Sequence, residues 1–251
     1  MSNVMMAELT WQDFGQKIKE NCVVILPVGS TEEHGPHLPL GVDAYIAEGL
    51  AKMLAKETNA VVAPTIAYGY KGNTGGGPLF PGTLEMNAET LIRQVTDVLC
   101  ELAADGVKNI FIMNAHYENE MFLLEAMDLT TREYPDVKIV ESAWWDQFTD
   151  ELIARVFDEV PFPGWAVEHA AIAETSMMQF FRPDLVRMER FVEEEQIPVY
   201  SYQISPIKKE VFPKLGSPST SRSASGEKGE DIMNTILPKF VDIVTSEFSG
   251  K

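Results

Sequence analysis

Four histidines occur in the 251 residues, at 34, 37, 116 and 169. Two of them have a glutamate two positions away: Glu32 precedes His34, and Glu118 follows His116. In extended backbone, residues two apart face the same way, so each pair can present an imidazole and a carboxylate to one point. Two such pairs from different segments are a donor set for divalent metal. Asp43 closes the first segment, GSTEEHGPHLPLGVD, and its two carboxylate oxygens can bridge two ions about 3.5–4 Å apart. Glu32, Asp43 and Glu118 bring three negative charges and two divalent ions bring four positive ones, so one bridging hydroxide neutralises the cluster. A bound ion lowers the pKa of water from about 15.7 towards about 7, which makes water the implied nucleophile. His37, after Pro36, reads as a supporting residue rather than a ligand.

Other residues could shape a substrate site. GWAVEHAAIAETS places Trp165 shortly before Glu168 and His169, where a helix is expected to begin. An unpaired histidine there could protonate a leaving group, and indoles, including Trp144 and Trp145, could wall a flat substrate or simply fill a core. Gly75, Gly76 and Gly77 are followed by Pro78 and Pro81. The expected helix N-terminus of a phosphate loop is missing, which excludes a nucleotide site. These glycines permit close approach of a small substrate or movement of a lid, and a tight turn is an equal reading.

The elements that must position these residues follow a βαβ rhythm. Strand-like runs at 22–28, 60–66, 109–113 and 137–142 alternate with helical patterns at 43–57, 87–105 and 118–134. Near-continuously apolar strands joined by helical crossovers predict a parallel sheet covered on both faces, a three-layer α/β/α sandwich. The last third is less regular, with helices expected at 170–181 and from 227. The length fits one domain spanning 1–251. Ligands of open parallel sheets bind outside the carboxyl ends of the strands, which selects the loops 29–43, 67–86 and 114–120.

The net charge of -18 repels a phosphate backbone and argues against nucleic acid as a partner. No apolar run reaches the ~18 residues of a membrane span. The start lacks a secretory pattern, and the two cysteines, Cys22 and Cys100, fall in a strand-like and a helix-like run. The expectation is a cytoplasmic protein with reduced thiols.

EEHGPHLPLGVD, YGYK, GGGPLFPGT, NAHYENEMF, GWAVEH and ETS, in this order and spacing, resemble the creatininase (creatinine amidohydrolase) family. The likeness runs from ELTW near the start to ASGEKGE near the end, and HYEN is its most specific step, since many other members carry HGGN there. The resemblance implies the creatininase-like fold and a dinuclear site, typically of manganese and zinc. Glu32, Asp43 and His116 would hold one ion, and His34, Asp43 and Glu118 the other. It implies Glu118 and His169 as catalytic residues, with His169 passing a proton to a departing ring nitrogen. Trp165, His169, Tyr117 and Thr74 would contact the substrate, and Trp145, rather than Trp144, would close over it. It also implies a homo-oligomer, a hexamer. The implied reaction is hydrolysis of a small cyclic substrate, creatinine, to creatine. The alternatives are another lactam or a polyhydroxylated cyclic ketone on the same metals, or a non-catalytic metal-binding relative. Two features depart from the family pattern: Ala166 stands where an acidic residue follows the GW tryptophan, and the loop before the glycines is about two residues shorter.

Overall fold

The computed structural model describes residues 4–72, 80–194, 201–202, 204 and 213–249. Strands β1 (Val23–Val28), β2 (Ala60–Val62), β3 (Asn109–Asn114) and β4 (Lys138–Ala143) form one sheet in the order β2-β1-β3-β4. Every pairing is parallel, with Val23 opposite Ala60 and Asn109, and Asn109 opposite Lys138. All residues of β1 and β3 are buried, as the uninterrupted apolar runs require of central parallel strands. The second strand stops at Val62, shorter than the run to Ile66, because Pro64 follows and cannot donate to a ladder.

Alternate residues of each strand feed two separate cores. Val23, Ile25, Phe111 and Met113 face one way, packing with α2 (Val42–Glu57), α6 (Ile172–Phe181) and α7 (Gly226–Phe248). Val24, Leu26, Ile110 and Ile112 face the other, packing with α1 (Trp11–Lys19), α3 (Ala88–Ala104) and α4 (Glu120–Glu133). The short helix α5 (Asp150–Val156) joins the first layer through Leu152 and Val156. These are the expected three layers, with helix ends within a few residues of the periodic patterns. Side chains cap several starts: the hydroxyls of Thr10, Thr149 and Ser225 accept from the amides of Asp13, Leu152 and Lys228. Among the described residues, no helix is long and apolar enough to cross a membrane.

The chain passes from β1 outward to β2, then returns to place β3 on the other side of β1. The loops leaving β1 and β3 therefore diverge at the sheet's switch point, where a crevice opens. One residue on β4 works against folding at neutral pH. Burial, then the carboxylates of Asp146 and Glu120, push the Glu141 carboxyl up to about 7, and its Oε1 has no hydrogen-bond partner. The native state thus holds a proton that the unfolded chain releases near its ordinary value, about 4.3. Stability falls as pH rises from that value through about 7. We expect Glu141→Gln to stabilise the protein by about 1–3 kcal/mol at pH 8 and by little at pH 4. Thermal unfolding at both pH values checks this; equal shifts at the two would refute it.

Candidate metal centre and active site

The loop after β1 is fastened before it delivers any functional group. Thr31 Oγ1 donates to the Ala67 carbonyl at 2.6 Å, and the Glu33 amide donates to Thr83 Oγ1 at 3.0 Å. At Gly29 a Cβ would stand 2.5 Å from the Ala44 nitrogen, so only glycine lets β1 end against the first turn of α2. That contact sets Asp43, 1% exposed, in the first turn of α2 behind Glu32 and His34.

Backbone carbonyls fix the rings. The Nδ1–H of His34 donates to the Glu32 carbonyl at 3.2 Å, and the Nε2–H of His116 donates to the Tyr70 carbonyl at 2.9 Å. A carbonyl can only accept, so the remaining nitrogen of each neutral ring carries a lone pair. For His34 this is Nε2, 3.0 Å from Asp43 Oδ1 and 3.5 Å from Glu174 Oε2. For His116 it is Nδ1, 3.0 Å from Glu32 Oε1 and 3.1 Å from Asp43 Oδ2. Buried acceptors thus face buried acceptors, an arrangement that demands a positive charge between them.

The ionisation of these groups expresses the same demand. Burial opposes the charge of His116, but Glu32 and Asp43 outweigh it and raise its pKa well above the ordinary value. Burial and His169 oppose the charge of His34, and Asp43 with Glu174 overcome them. Burial likewise disfavours the Asp43 carboxylate, yet His34 and His116 hold its pKa far below the usual range. The donor set fits divalent ions: Glu32, Asp43 and His116 bring ligand atoms within 4.8 Å of one another, and so do His34, Asp43 and Glu174. Asp43 contributes to both groups, its two oxygens facing different histidines.

Glu174 stands where Glu118 was expected. Glu32 and His34 bring ligand atoms within 4.8 Å of one another, as residues two apart on extended chain would, whereas Tyr117–Asn119 is a 3-10 turn and not the extended chain expected after His116. The turn carries Glu118 to the other edge of the ring, 3.5 Å from His116 Nε2 and away from the lone pair. Sequence reasoning quoted Glu174 in ETS but gave it no role. Its signal, a glutamate five residues after His169, depends on an irregular turn that no periodicity reveals. Ala170 adopts a left-handed φ of 53°, which ends the 3-10 turn Trp165–Val167 region and lets α6 begin at Ile172 rather than at Trp165. Two carboxylates secure that turn: Glu168 Oε1 accepts from the Ala173 amide, and Glu174 Oε2 from the Ala170 amide, each at 2.7 Å. Burial and the nearby Glu174 carboxylate push the Glu168 carboxyl well above its usual range.

His169 follows the same rule as the other two rings. Its Nε2–H donates to the Glu33 carbonyl at 2.8 Å, leaving Nδ1 3.7 Å from Glu32 Oε1, with the ring 4.2 Å from that of His34. His37 lies off the centre, its Nε2 between the hydroxyls of Thr175 and Ser221 at 3.1 and 3.0 Å, in keeping with its expected supporting role. Burial, then His34, lower its pKa to about 4 and keep it neutral.

A pocket opens beside the donors, lined by Glu118, Tyr117, Trp145, Trp165, Ala166 and His169 among others. Trp144 lines it too, so both adjacent tryptophans contribute, on the 3-10 turn Trp144–Gln147 that leaves β4. This fourth strand end was not among the three loops selected from the sequence. Trp144 meets Trp145 and Trp165 edge to face at 5.6 and 5.8 Å, and Tyr117 stands 5.8 Å from Trp145. Thr74 and the three consecutive glycines lie outside the described residues.

An α/β/α sandwich with a buried carboxylate–imidazole donor set for divalent metal at its switch point, and an aromatic pocket beside it, defines a metal-dependent hydrolase. The family model for creatininase, described as creatinine amidohydrolase, matches residues 7–244. Creatinine amidohydrolase of Pseudomonas putida is 35% identical over 254 residues, covering 98% of each chain. A mutant creatininase complexed with creatine superposes with a TM-score of 0.94 at 35% identity, over 99% of this chain and 100% of that one. The structure titled "Creatininase Mn" gives the same figures, 0.94, 35%, 99% and 100%. The chain belongs to the creatininase family.

The two glutamates make separable predictions. In zinc titrations with a chromophoric chelator, we expect wild type and Glu118→Gln to bind two equivalents tightly, and Glu174→Gln to keep only one. Uptake should also weaken on acidification, because protons held on His34 and His116 by their raised pKa values must leave before an ion binds. Loss of an equivalent in Glu118→Gln alone would reverse the assignment.

Proposed function

We propose that this chain is a creatinine amidohydrolase, a single-domain enzyme that opens the lactam of creatinine with water to give creatine. Glu32, Asp43 and His116 would hold one divalent ion, and His34, Asp43 and Glu174 the second, the pair being zinc and manganese. When bound, such ions polarise a carbonyl oxygen and bring the pKa of water towards neutrality. The family resemblance extends the reading to a homo-oligomer, a hexamer, and the two free cysteines suit the cytoplasm.

The observation that carries the proposal is the meeting of the donor cluster with an aromatic pocket across His169. The ring of a planar substrate would lie between Trp145 and Trp165, gaining contact area at small entropic cost. Tyr117, 45% exposed, stands at the rim. Glu118 lines the pocket, and its carboxylate would take a proton from the attacking water. His169 has its Nε2–H committed to the Glu33 carbonyl, which leaves Nδ1 to carry the mobile proton. Burial opposes its charge, and Glu32 with Glu33 outweigh burial, so the ring enters the reaction as an acid. Water adds to the lactam carbon, the carbon–nitrogen bond breaks, and the nitrogen leaves with the proton from Nδ1. The proton taken by Glu118 balances the one given by His169. Ala166 keeps the wall beside Trp165 small and uncharged.

The test is creatine formation from creatinine by purified, metal-loaded protein. We expect turnover that chelation abolishes and that zinc or manganese restores. His169→Asn and Glu118→Gln should each lower kcat by roughly 10²–10⁴-fold while two ions remain bound. If the loaded protein forms no creatine, the substrate assignment is wrong, and a panel of other lactams and cyclic ketones identifies the ring that it opens.

A further inference from the structure

We infer that Asn119 is a positioning residue for the metal centre: it holds the Tyr70 backbone so that His116 presents Nδ1, and not Nε2, to Glu32 and Asp43. This inference rests on the proposed metal reading of those three residues.

Asn119 is fully buried and touches none of the candidate ligands through its side chain. Its amide spans two strand-end loops. Oδ1 accepts from the Tyr70 amide at 2.9 Å, and Nδ2 donates to the Gly29 carbonyl at 3.1 Å. Only one orientation of the amide satisfies both partners, since the amide nitrogen cannot accept and the Gly29 oxygen cannot donate. Its own backbone amide donates to the His116 carbonyl at 3.1 Å, which ties it to the turn that carries the histidine.

Both backbone groups of Tyr70 are therefore engaged by the same 116–119 turn. The Tyr70 amide binds Asn119, and the Tyr70 carbonyl accepts the Nε2–H of His116 at 2.9 Å. That carbonyl is what makes Nε2 the protonated nitrogen and leaves the lone pair on Nδ1. The bridge of Tyr70 to Met86 holds the strand from one side, and the Asn119 amide holds it from the other, so loss of the amide loosens the Tyr70 carbonyl and lets His116 take the other tautomer or turn its ring. Gly69 shows how closely the joint is fitted. A Cβ there would stand 2.8 Å from the Gly29 oxygen and 2.9 Å from Asn119 Oδ1. A partner that orients a ligating histidine typically contributes roughly 10–100-fold to metal affinity.

The experiment is zinc competition against a chromophoric chelator, together with NMR of the imidazole nitrogens, which only four histidines contribute. We expect Asn119→Ala to weaken one of the two zinc equivalents roughly 10–100-fold and to leave the other near its wild-type affinity. The zinc-linked Nδ1 signal of His116 should be the one that broadens or moves, while that of His34 Nε2 stays. Gly69→Ala, which presses on the same amide from the other side, should weaken the same equivalent and serves if Asn119→Ala does not fold. A residue that only supports the fold would lower the thermal midpoint and affect both equivalents alike. Folded variants that keep both equivalents at wild-type affinity overturn the role of Asn119 alone. Wild type that binds no zinc overturns the metal reading, and the inference with it.

Discussion

The contact on which the rest of the structure depends is between lone pairs. Two buried imidazoles turn one nitrogen each towards carboxylate oxygens at 3.0–3.1 Å, with the N–H of the opposite edge committed to a backbone carbonyl, so that only a proton or a metal ion reconciles the lone pairs. The groups are buried, so screening is weak and the arrangement is costly until positive charge enters it. The fold supplies everything needed to keep these groups from relaxing apart. Strand ends fix the carbonyls, the first turn of α2 fixes Asp43, and the left-handed Ala170 with the Glu168 contact fixes Glu174. The centre is thus preorganised by backbone geometry more than by side-chain partners.

Much of this was legible in the sequence, and its limits have physical causes. Apolar runs long enough to fill two faces announced β1, β3 and the parallel sheet, and Glu32, His34, Asp43 and His116 sit at the strand ends as their spacing implied. Glu32 and His34, two residues apart, do bring their ligand atoms within 4.8 Å of one another. Extended geometry does not continue to Glu118, because the chain turns into a 3-10 helix one residue after His116 and sets Glu118 beside Nε2 rather than Nδ1. Glu174 was invisible for a related reason. Its approach to His34 depends on a non-glycine residue in the left-handed region, which no propensity scale anticipates. The tryptophans at the end of β4 were legible as aromatic residues but not as a wall, because their direction is set by the turn that follows the strand.

A donor set with Glu174 in the place of Glu118 carries the same charge. Glu32, Asp43 and Glu174 bring three negative charges, as the earlier trio did, so two divalent ions still leave one positive charge for an anionic partner. Glu118 stands in the pocket wall beside His116. The orienting partners matter in the same way. His34, His116 and His169 all donate to backbone carbonyls, and carboxylates of Glu118 and Glu33 stand 3.5 and 3.4 Å from the same nitrogens of His116 and His169. Two divalent ions held by these residues would leave a surplus of positive charge beside the tryptophans of the pocket, where it would stabilise a developing oxyanion.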